Sequence, residues 1–386
     1  METPDRPLIT RLRATNFRSI ADMDLELGPL TVIVGRNGAG KSNTIDVLRF
    51  LRSSLNEGAE RALSLMGGWE AVAGVSTKPC VISVDSEPPR IGWEARFEAS
   101  LFPNDTFLYR FLARADGEGP WVEPEISEQD ARAFALKGFS LWLDSVDASS
   151  TETYEDAVSR LKNEGMDRVA AIGIAIGITQ RLMAYEFVSR DLRDPQRVLR
   201  ATPLQEEGQN LVSTLRSILT GPRGISVRRA LQALVHGVDT VEVVRAAGHI
   251  IAELVYKAEN KERRSDLGLE SDGTIRMLAI LVALYQTPAP PLIVIEEPEA
   301  NLHPGALGVL ADVIKEASLR TQVIITTHSP DLIDHFDPEV IRVVERVDGV
   351  TVVGKVQENQ REIIRQKLYR PGELMRVEGL QRETAD

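Results

Sequence analysis

Uninterrupted apolar, β-branched runs occur at Leu30-Thr31-Val32-Ile33-Val34, Leu292-Ile293-Val294-Ile295 and Val323-Ile324-Ile325-Thr326-Thr327. Runs without alternation fit strands covered on both faces, as in a central parallel sheet. Apolar residues at helical spacing follow the first run over 41–55 and precede the second from Ile275 to Leu284. Period-two alternation marks 80–85 and 91–101, so short strands and turns extend to about Arg114. From Ser127 to about Ala233 the pattern turns helical, with helices predicted at 130–143, 153–161, 169–183 and 211–219. The apolar, glycine-punctuated stretch 172–178 reads as close helix packing. Further strands are expected at 238–244 and 250–256. A terminal hairpin is expected from 340–345 and 350–353 around Asp348-Gly349, a favoured turn dipeptide, followed by a short basic helix at 361–368.

The candidate chemistry sits at the ends of these runs. Gly35-Arg36-Asn37-Gly38-Ala39-Gly40-Lys41-Ser42 fits G-x-x-x-x-G-K-[ST] between a strand and a helix, the context that pattern requires. Its glycines let the backbone close around an anion, the helix N-terminus faces the phosphates, and Lys41 adds a point charge. Ser42 offers its hydroxyl to Mg²⁺. The second run ends in Glu296-Glu297-Pro298. There Glu296 is assigned to the metal and Glu297 to polarising the water that attacks the γ-phosphate. Leu269-Glu270-Ser271-Asp272-Gly273-Thr274 opens the apolar helix, with Ser271 as N-cap. A second phosphate-facing helix start, in a chain that already has a phosphate loop, suggests sites shared between two subunits. The third run ends at His328-Ser329-Pro330, placing a histidine at a parallel strand's carboxyl end, where ligands bind.

These elements, in this order, resemble the ATP-binding-cassette type ATPases, in particular the branch of RecF and the SMC proteins. GRNGAGKSN, residues 35–43, is similar to that branch's Walker A with Asn43 after the serine. LESDGT resembles its signature, IVIEEPEANLHP its Walker B and D-loop, and ITTHSP its switch-histidine segment. The opening Ile9-Thr10-Arg11-Leu12 with Asn16-Phe17-Arg18-Ser19-Ile20 is also similar, and 204–211 resembles a segment of stand-alone bacterial AAA-family ATPases.

The resemblance implies an α/β P-loop fold of ABC-ATPase type: a mixed central sheet with an antiparallel β subdomain and an inserted helical lobe. The expected division is 1–115 for the N-terminal ATPase lobe, 116–235 for the helical lobe, 236–355 for the C-terminal ATPase lobe and 356–386 for a tail. It further implies ATP and Mg²⁺ as cofactors, bound by Gly35, Asn37, Gly38, Ala39, Gly40, Lys41, Ser42 and Asn43, with Ser271 and Gly273 reaching the γ-phosphate from another copy. Glu297 and His328 would be catalytic, and Ser42 and Glu296 metal-holding. Two features depart from the family pattern. Glu296 stands where an aspartate is usual, and no glutamine follows the candidate strand Tyr185-Glu186-Phe187-Val188.

Composition narrows the setting. The 386 residues, 43% hydrophobic and 26% charged, suit a globular enzyme with a substantial core. No apolar run approaches the roughly 20 residues that span a bilayer, and the Met1-Glu2-Thr3-Pro4-Asp5 start is not a signal peptide, so a cytoplasmic protein is expected. Cys80 is the only cysteine, which excludes an internal disulfide and suggests a buried apolar role. A net charge of −12 argues against nonspecific nucleic-acid binding as the main activity; 257–264 and 223–229 are the best basic clusters for a local DNA contact, but each reads first as a solvated face, and neither has the interleaved aromatics that stack bases. No heptad repeat supports a coiled-coil arm. The expected activity is ATP hydrolysis by a dimer with a conformational output in DNA maintenance or anti-phage defence, beside a separately encoded effector such as a nuclease. An ATP-gated scaffold with little hydrolysis is the alternative. A small-molecule kinase is disfavoured, because it would leave the signature and switch-histidine segments unused.

Overall fold

The computed structural model describes residues 8–73, 80–87, 91–99, 107–115, 177–197, 203–246, 248–258 and 261–383. Strands β1 (Leu8–Phe17), β2 (Ile20–Glu26) and β3 (Leu30–Val34) lead into α1 (Lys41–Glu57), the short helices α2 (Ala59–Leu65) and α3 (Trp69–Ala73), then β4 (Cys80–Glu87), β5 (Ile91–Ala99) and β6 (Phe107–Ala115). After β7 (Met183–Tyr185) and the two-residue β8 (Gln196–Arg197) come α4 (Leu211–Thr220), α5 (Gly224–Leu234), β9 (Val238–Ala246), β10 (His249–Ala258) and β11 (Lys261–Asp266). Helix α6 (Asp272–Tyr285) precedes β12 (Leu292–Glu296), α7 (Leu307–Ser318), β13 (Gln322–Thr327) and α8 (Pro330–Ile333). The hairpin β14 (Ile341–Val347) and β15 (Val350–Lys355) is followed by α9 (Glu358–Arg365) and α10 (Pro371–Val377).

The main sheet is mixed, in the order β6-β5-β4-β1-β2-β15-β14-β3-β13-β12-β7. Its β14-β3-β13-β12-β7 portion is parallel, and β2-β1-β4-β5-β6 is antiparallel. The uninterrupted apolar runs now have a physical explanation. Val32, Ile293, Ile295, Val323 and Ile325 enter one core cluster, whereas Ile33, Leu292, Val294 and Ile324 enter the other, so the central strands are covered on both faces. Helix α1 covers the second face with Ile45, Leu48, Phe50 and Leu51, and Phe50 meets Phe17 at 5.7 Å between ring centroids. Helix α6 covers the first and is buried almost continuously from Ile275 to Tyr285.

Several expectations shift. The helix expected over 169–183 is described only from 177; residues 177–180 are helical, and Met183 already opens β7. The strand expected at 185–188 therefore ends at Tyr185. Its register is set by parallel pairing of Ala184 with Val294. The basic helix expected at 361–368 begins earlier, at Glu358, and ends at Arg365. Lys367 has φ 58°, outside the helical region. The basic run 257–264 is partly β11, an exposed strand paired with β10. Two of its four cations are paired within the protein: Lys257 with Asp239 at 2.9 Å, and Arg264 with Glu242 at 2.7 Å and Glu262 at 2.9 Å. The helices expected at 130–143 and 153–161, and most of 172–178, lie outside the described residues. The hairpin forms as expected, with Asp348 at φ 49° and Gly349 at φ 84°. Cys80 is fully buried. Among the described residues, no helix is long and apolar enough to cross a membrane.

Candidate functional site

Three adjacent parallel strands, β3, β13 and β12, deliver their carboxyl ends to one place. Gly40 starts α1 at φ 109° with no side-chain cap, which leaves the first-turn amides free for an anion. Its conformation suits glycine, and a Cβ there would come within 2.6 Å of Thr351 Cγ2. Thr351 is itself held, donating to the Ala39 carbonyl at 3.1 Å and lying 2.7 Å from Ser19 Oγ. Asn43 Nδ2 donates to Ser19 Oγ at 2.5 Å, so the opening N-F-R-S segment packs directly on the phosphate loop. Lys41 is buried, and its Nζ donates to the carbonyls of Gly35 at 2.9 Å and Arg36 at 3.3 Å. Burial lowers its pKa, and the charges of Glu297, Glu299 and Glu296 oppose that shift.

The two carboxylates at the end of β12 occupy different environments. Glu296 is only 9% exposed. Its Oε2 accepts from Ser42 Oγ at 3.1 Å, and its Oε1 lies 2.7 Å from Arg49 Nη2. Burial raises its pKa, while Arg49 pulls the other way. Glu297 turns outward at φ 44°, a left-handed conformation uncommon for a residue with a side chain. Its amide donates to Thr326 O at 3.0 Å, and its Oε1 meets His328 Nδ1 at 3.0 Å. Arg276 of α6 donates to the carbonyls of Glu296 at 2.9 Å and Glu297 at 3.0 Å, tying the signature helix to this turn.

Ser271 is the N-cap of α6, its Oγ accepting from Thr274 N at 3.2 Å. Gly273 lies against the carbonyl of Asn301, which a Cβ would overlap, so the signature and the D-loop pack as one unit. Both residues open into a cavity of about 460 Å³ that is also lined by Asn301, His303 and Gly305 and by no residue of the phosphate loop. His303 Nδ1 accepts from Gly305 N at 3.1 Å, which places the neutral ring's proton on Nε2.

Three residues to which the motifs give no role lie beside these side chains. Arg49 lies seven residues after Ser42, two turns along the same helical face, and that spacing was a usable signal. Glu299 accepts from Thr327 Oγ1 at 2.5 Å, and burial raises its pKa; nothing in the local pattern marked it. Glu186 directly follows β7, which pairs with β12; the sequence pattern puts it inside a strand over 185–188 and so not at the position after the strand.

A strand–loop–helix with the G-x-x-x-x-G-K-S pattern, a carboxylate-tipped strand two places away, a capped helix start and a strand-end histidine on a mixed sheet fit an ABC-type ATPase of the RecF/SMC kind. The family model described as "AAA domain, putative AbiEii toxin, Type IV TA system" matches residues 30–334, and the chain belongs to that family. The chain is 25% identical over 379 residues to an OLD nuclease of Thermus scotoductus, covering 92% of this chain but only 65% of that protein. It is 47% identical to the DNA replication and repair protein RecF of Brucella abortus over 60 residues, 15% of each chain. The fold is similar to an SMC head bound to the C-winged-helix domain of ScpA, with TM-score 0.54 and 16% identity over 92% of this chain and 99% of that one. An SMC head derived from Pyrococcus furiosus matches with TM-score 0.51 and 14% identity over 94% of this chain and all of that one.

Proposed function

We propose that the chain binds ATP with Mg²⁺ and hydrolyses it when two copies close on the nucleotide. The carrying observation is the separation of the two phosphate-directed helix starts. Lys41 and Ser42 stand with Glu296 at the strand ends, whereas Ser271 and Gly273 open into a cavity without phosphate-loop residues. Those two surfaces can serve one nucleotide if a second copy supplies the signature.

The residues fit the nucleotide and its metal. A Cβ placed on Gly38, whose φ is 76°, would meet nothing within 4 Å, so the loop is open at that point, and the uncapped start of α1 offers free amides. Gly35, Asn37, Gly38, Ala39, Gly40 and Asn43 shape that cradle, and Lys41 would neutralise phosphate charge. Ser42 and Glu296 would hold Mg²⁺, which supplies charge stabilisation for the transferring phosphoryl group. Among the described residues, no group of three His, Cys, Asp or Glu can hold a metal ion. The nucleotide's own oxygens would therefore complete the shell. Glu297 would accept the proton of the attacking water, its orientation fixed by the left-handed backbone and the His328 contact. His328 would hydrogen-bond the γ-phosphate from the other side of that carboxylate.

Closure would move the rigid unit of α6 and the D-loop, and the output would be conformational. A separately encoded effector, such as a nuclease, is the proposed recipient. Anti-phage defence or DNA maintenance in the cytoplasm is the proposed setting, supported by the similarity to an OLD nuclease and RecF. An ATP-gated scaffold with slow turnover is a second reading, favoured by the engagement of Glu296 with Arg49. Light scattering on the Glu297→Gln protein tests the main reading. ATP should convert it from monomer to a long-lived dimer, and a mass unchanged by ATP would exclude closure.

A further inference from the structure

We infer that Arg49 is a positioning residue that occupies the metal's place on Glu296 while nucleotide is absent, and swings to Glu186 when the metal arrives with ATP. This rests on the assignment of Ser42 and Glu296 to the metal. The geometry is specific. Seven residues separate Ser42 from Arg49 on α1, so both side chains project from one face and reach the same carboxylate from opposite oxygens. Ser42 Oγ donates to Oε2 at 3.1 Å, and Arg49 Nη2 lies 2.7 Å from Oε1.

The same Nη2 is 3.9 Å from Glu186 Oε2, and Nη1 donates to Asp46 at 3.2 Å. Glu186 has an exposed side chain, so it can turn toward the guanidinium with little loss of packing. Arg18 also pairs with Asp46, which keeps that carboxylate neutralised whichever way Arg49 turns.

The electrostatics require such a partner. A buried, unpaired carboxylate is strongly disfavoured, and Glu296 is only 9% exposed. A divalent cation and a guanidinium cannot both sit against it without repulsion. The metal must therefore displace Arg49, and phosphate oxygens carried in by the nucleotide make that exchange favourable. Metal alone would lack those oxygens and should fail to compete. Arg49 would thus impose an order of binding in which the cation enters only with nucleotide. The glutamate in place of the usual aspartate has the added length to reach both the serine and the arginine.

The test needs no turnover. Free Mn²⁺ is followed by electron paramagnetic resonance as nucleotide-free protein is added. Wild type should take up little Mn²⁺. Arg49→Met should bind it about tenfold more tightly or better, Arg49→Lys should behave as wild type, and Arg49→Met with Glu296→Gln should lose the gain. Equal Mn²⁺ uptake by wild type and a folded Arg49→Met protein overturns the inference. Should Arg49→Met not fold, Glu186→Gln decides: nucleotide affinity without metal should be unchanged, while the enhancement by Mg²⁺ should fall about fivefold. An unaltered enhancement overturns the exchange. Failure of the underlying reading is distinguishable, since Ser42→Ala and Glu296→Gln would then each leave the Mg²⁺ enhancement of ATP affinity at its wild-type value.

Discussion

Alanine at Gly35 separates the mechanical role of the phosphate loop from its chemical one. Gly35 leaves β3 against the neighbouring strand β14, and a Cβ there would come 2.5 Å from the Val344 carbonyl oxygen and 3.3 Å from Val344 Cβ. Carbon contacts begin at about 3.5 Å, so the strands must part by about 1 Å. Val344 cannot rotate aside, because β14 is paired on both edges, Val343 with Val34 and Val344 with Val353. Overpacking of this kind costs about 1–3 kcal/mol. Alanine restrains the unfolded chain and returns about 0.4–1 kcal/mol. The expected net loss is about 1–2 kcal/mol. The Gly35 carbonyl also tethers Lys41 Nζ at 2.9 Å, so ATP affinity should fall as well. Urea unfolding of nucleotide-free protein measures the first effect, with Gly28→Ala as comparison. A Cβ at Gly28 would meet only Leu30 O, at 3.5 Å, so that variant should equal or exceed wild type. A Gly35→Ala protein as stable as wild type would refute the steric argument.

Further outcomes follow from the same geometry. Lys41→Ala should abolish tight ATP binding by calorimetry, since the buried ammonium is the charge aimed at the loop. Glu297→Gln should keep ATP binding while turnover falls about 10²-fold or more, measured as phosphate release. A wild-type rate would transfer the catalytic role to Glu296 or His328. Burial pushes the Cys80 thiol from 9.0 up to about 12, so its folding contribution is complete below pH 9 and is lost as pH rises toward 12. Iodoacetamide at pH 8 should label it only in denaturant, and rapid labelling of native protein would show that β4 does not bury it.

The parts of the fold legible in the sequence are those where apolar pattern and burial coincide. The runs ending at Val34, Ile295 and Thr327 are covered on both faces, and their motifs sit at the strand ends as expected. Strand β11 was hidden because Lys261 to Arg264 are exposed, so pairing with β10 holds the strand and no hydrophobic face betrays it. The end of β7 was misplaced because Phe187 is buried beyond the strand, stacked on Tyr185 at 5.2 Å, and burial alone reads as continuation. In the site, residues of single motifs were readable. Cross-motif partners such as Arg49 with Glu296 and Thr327 with Glu299 depend on which elements become neighbours. Gly273 carried a second meaning that no motif states, its contact with the Asn301 carbonyl within the same chain.

The central claim, that one nucleotide is served by two copies, is tested most directly by complementation. Ser271→Arg leaves its own phosphate loop intact but places a cation where the partner's phosphate should approach, and Lys41→Ala leaves its own signature intact. Each protein alone should be inactive. Mixed, they form a heterodimer with one complete site, and ATPase activity should return to about a quarter of wild type at equal concentrations, since half the dimers are mixed and each holds one of two sites. No recovery in a mixture whose heterodimers are demonstrated by pull-down would contradict the account.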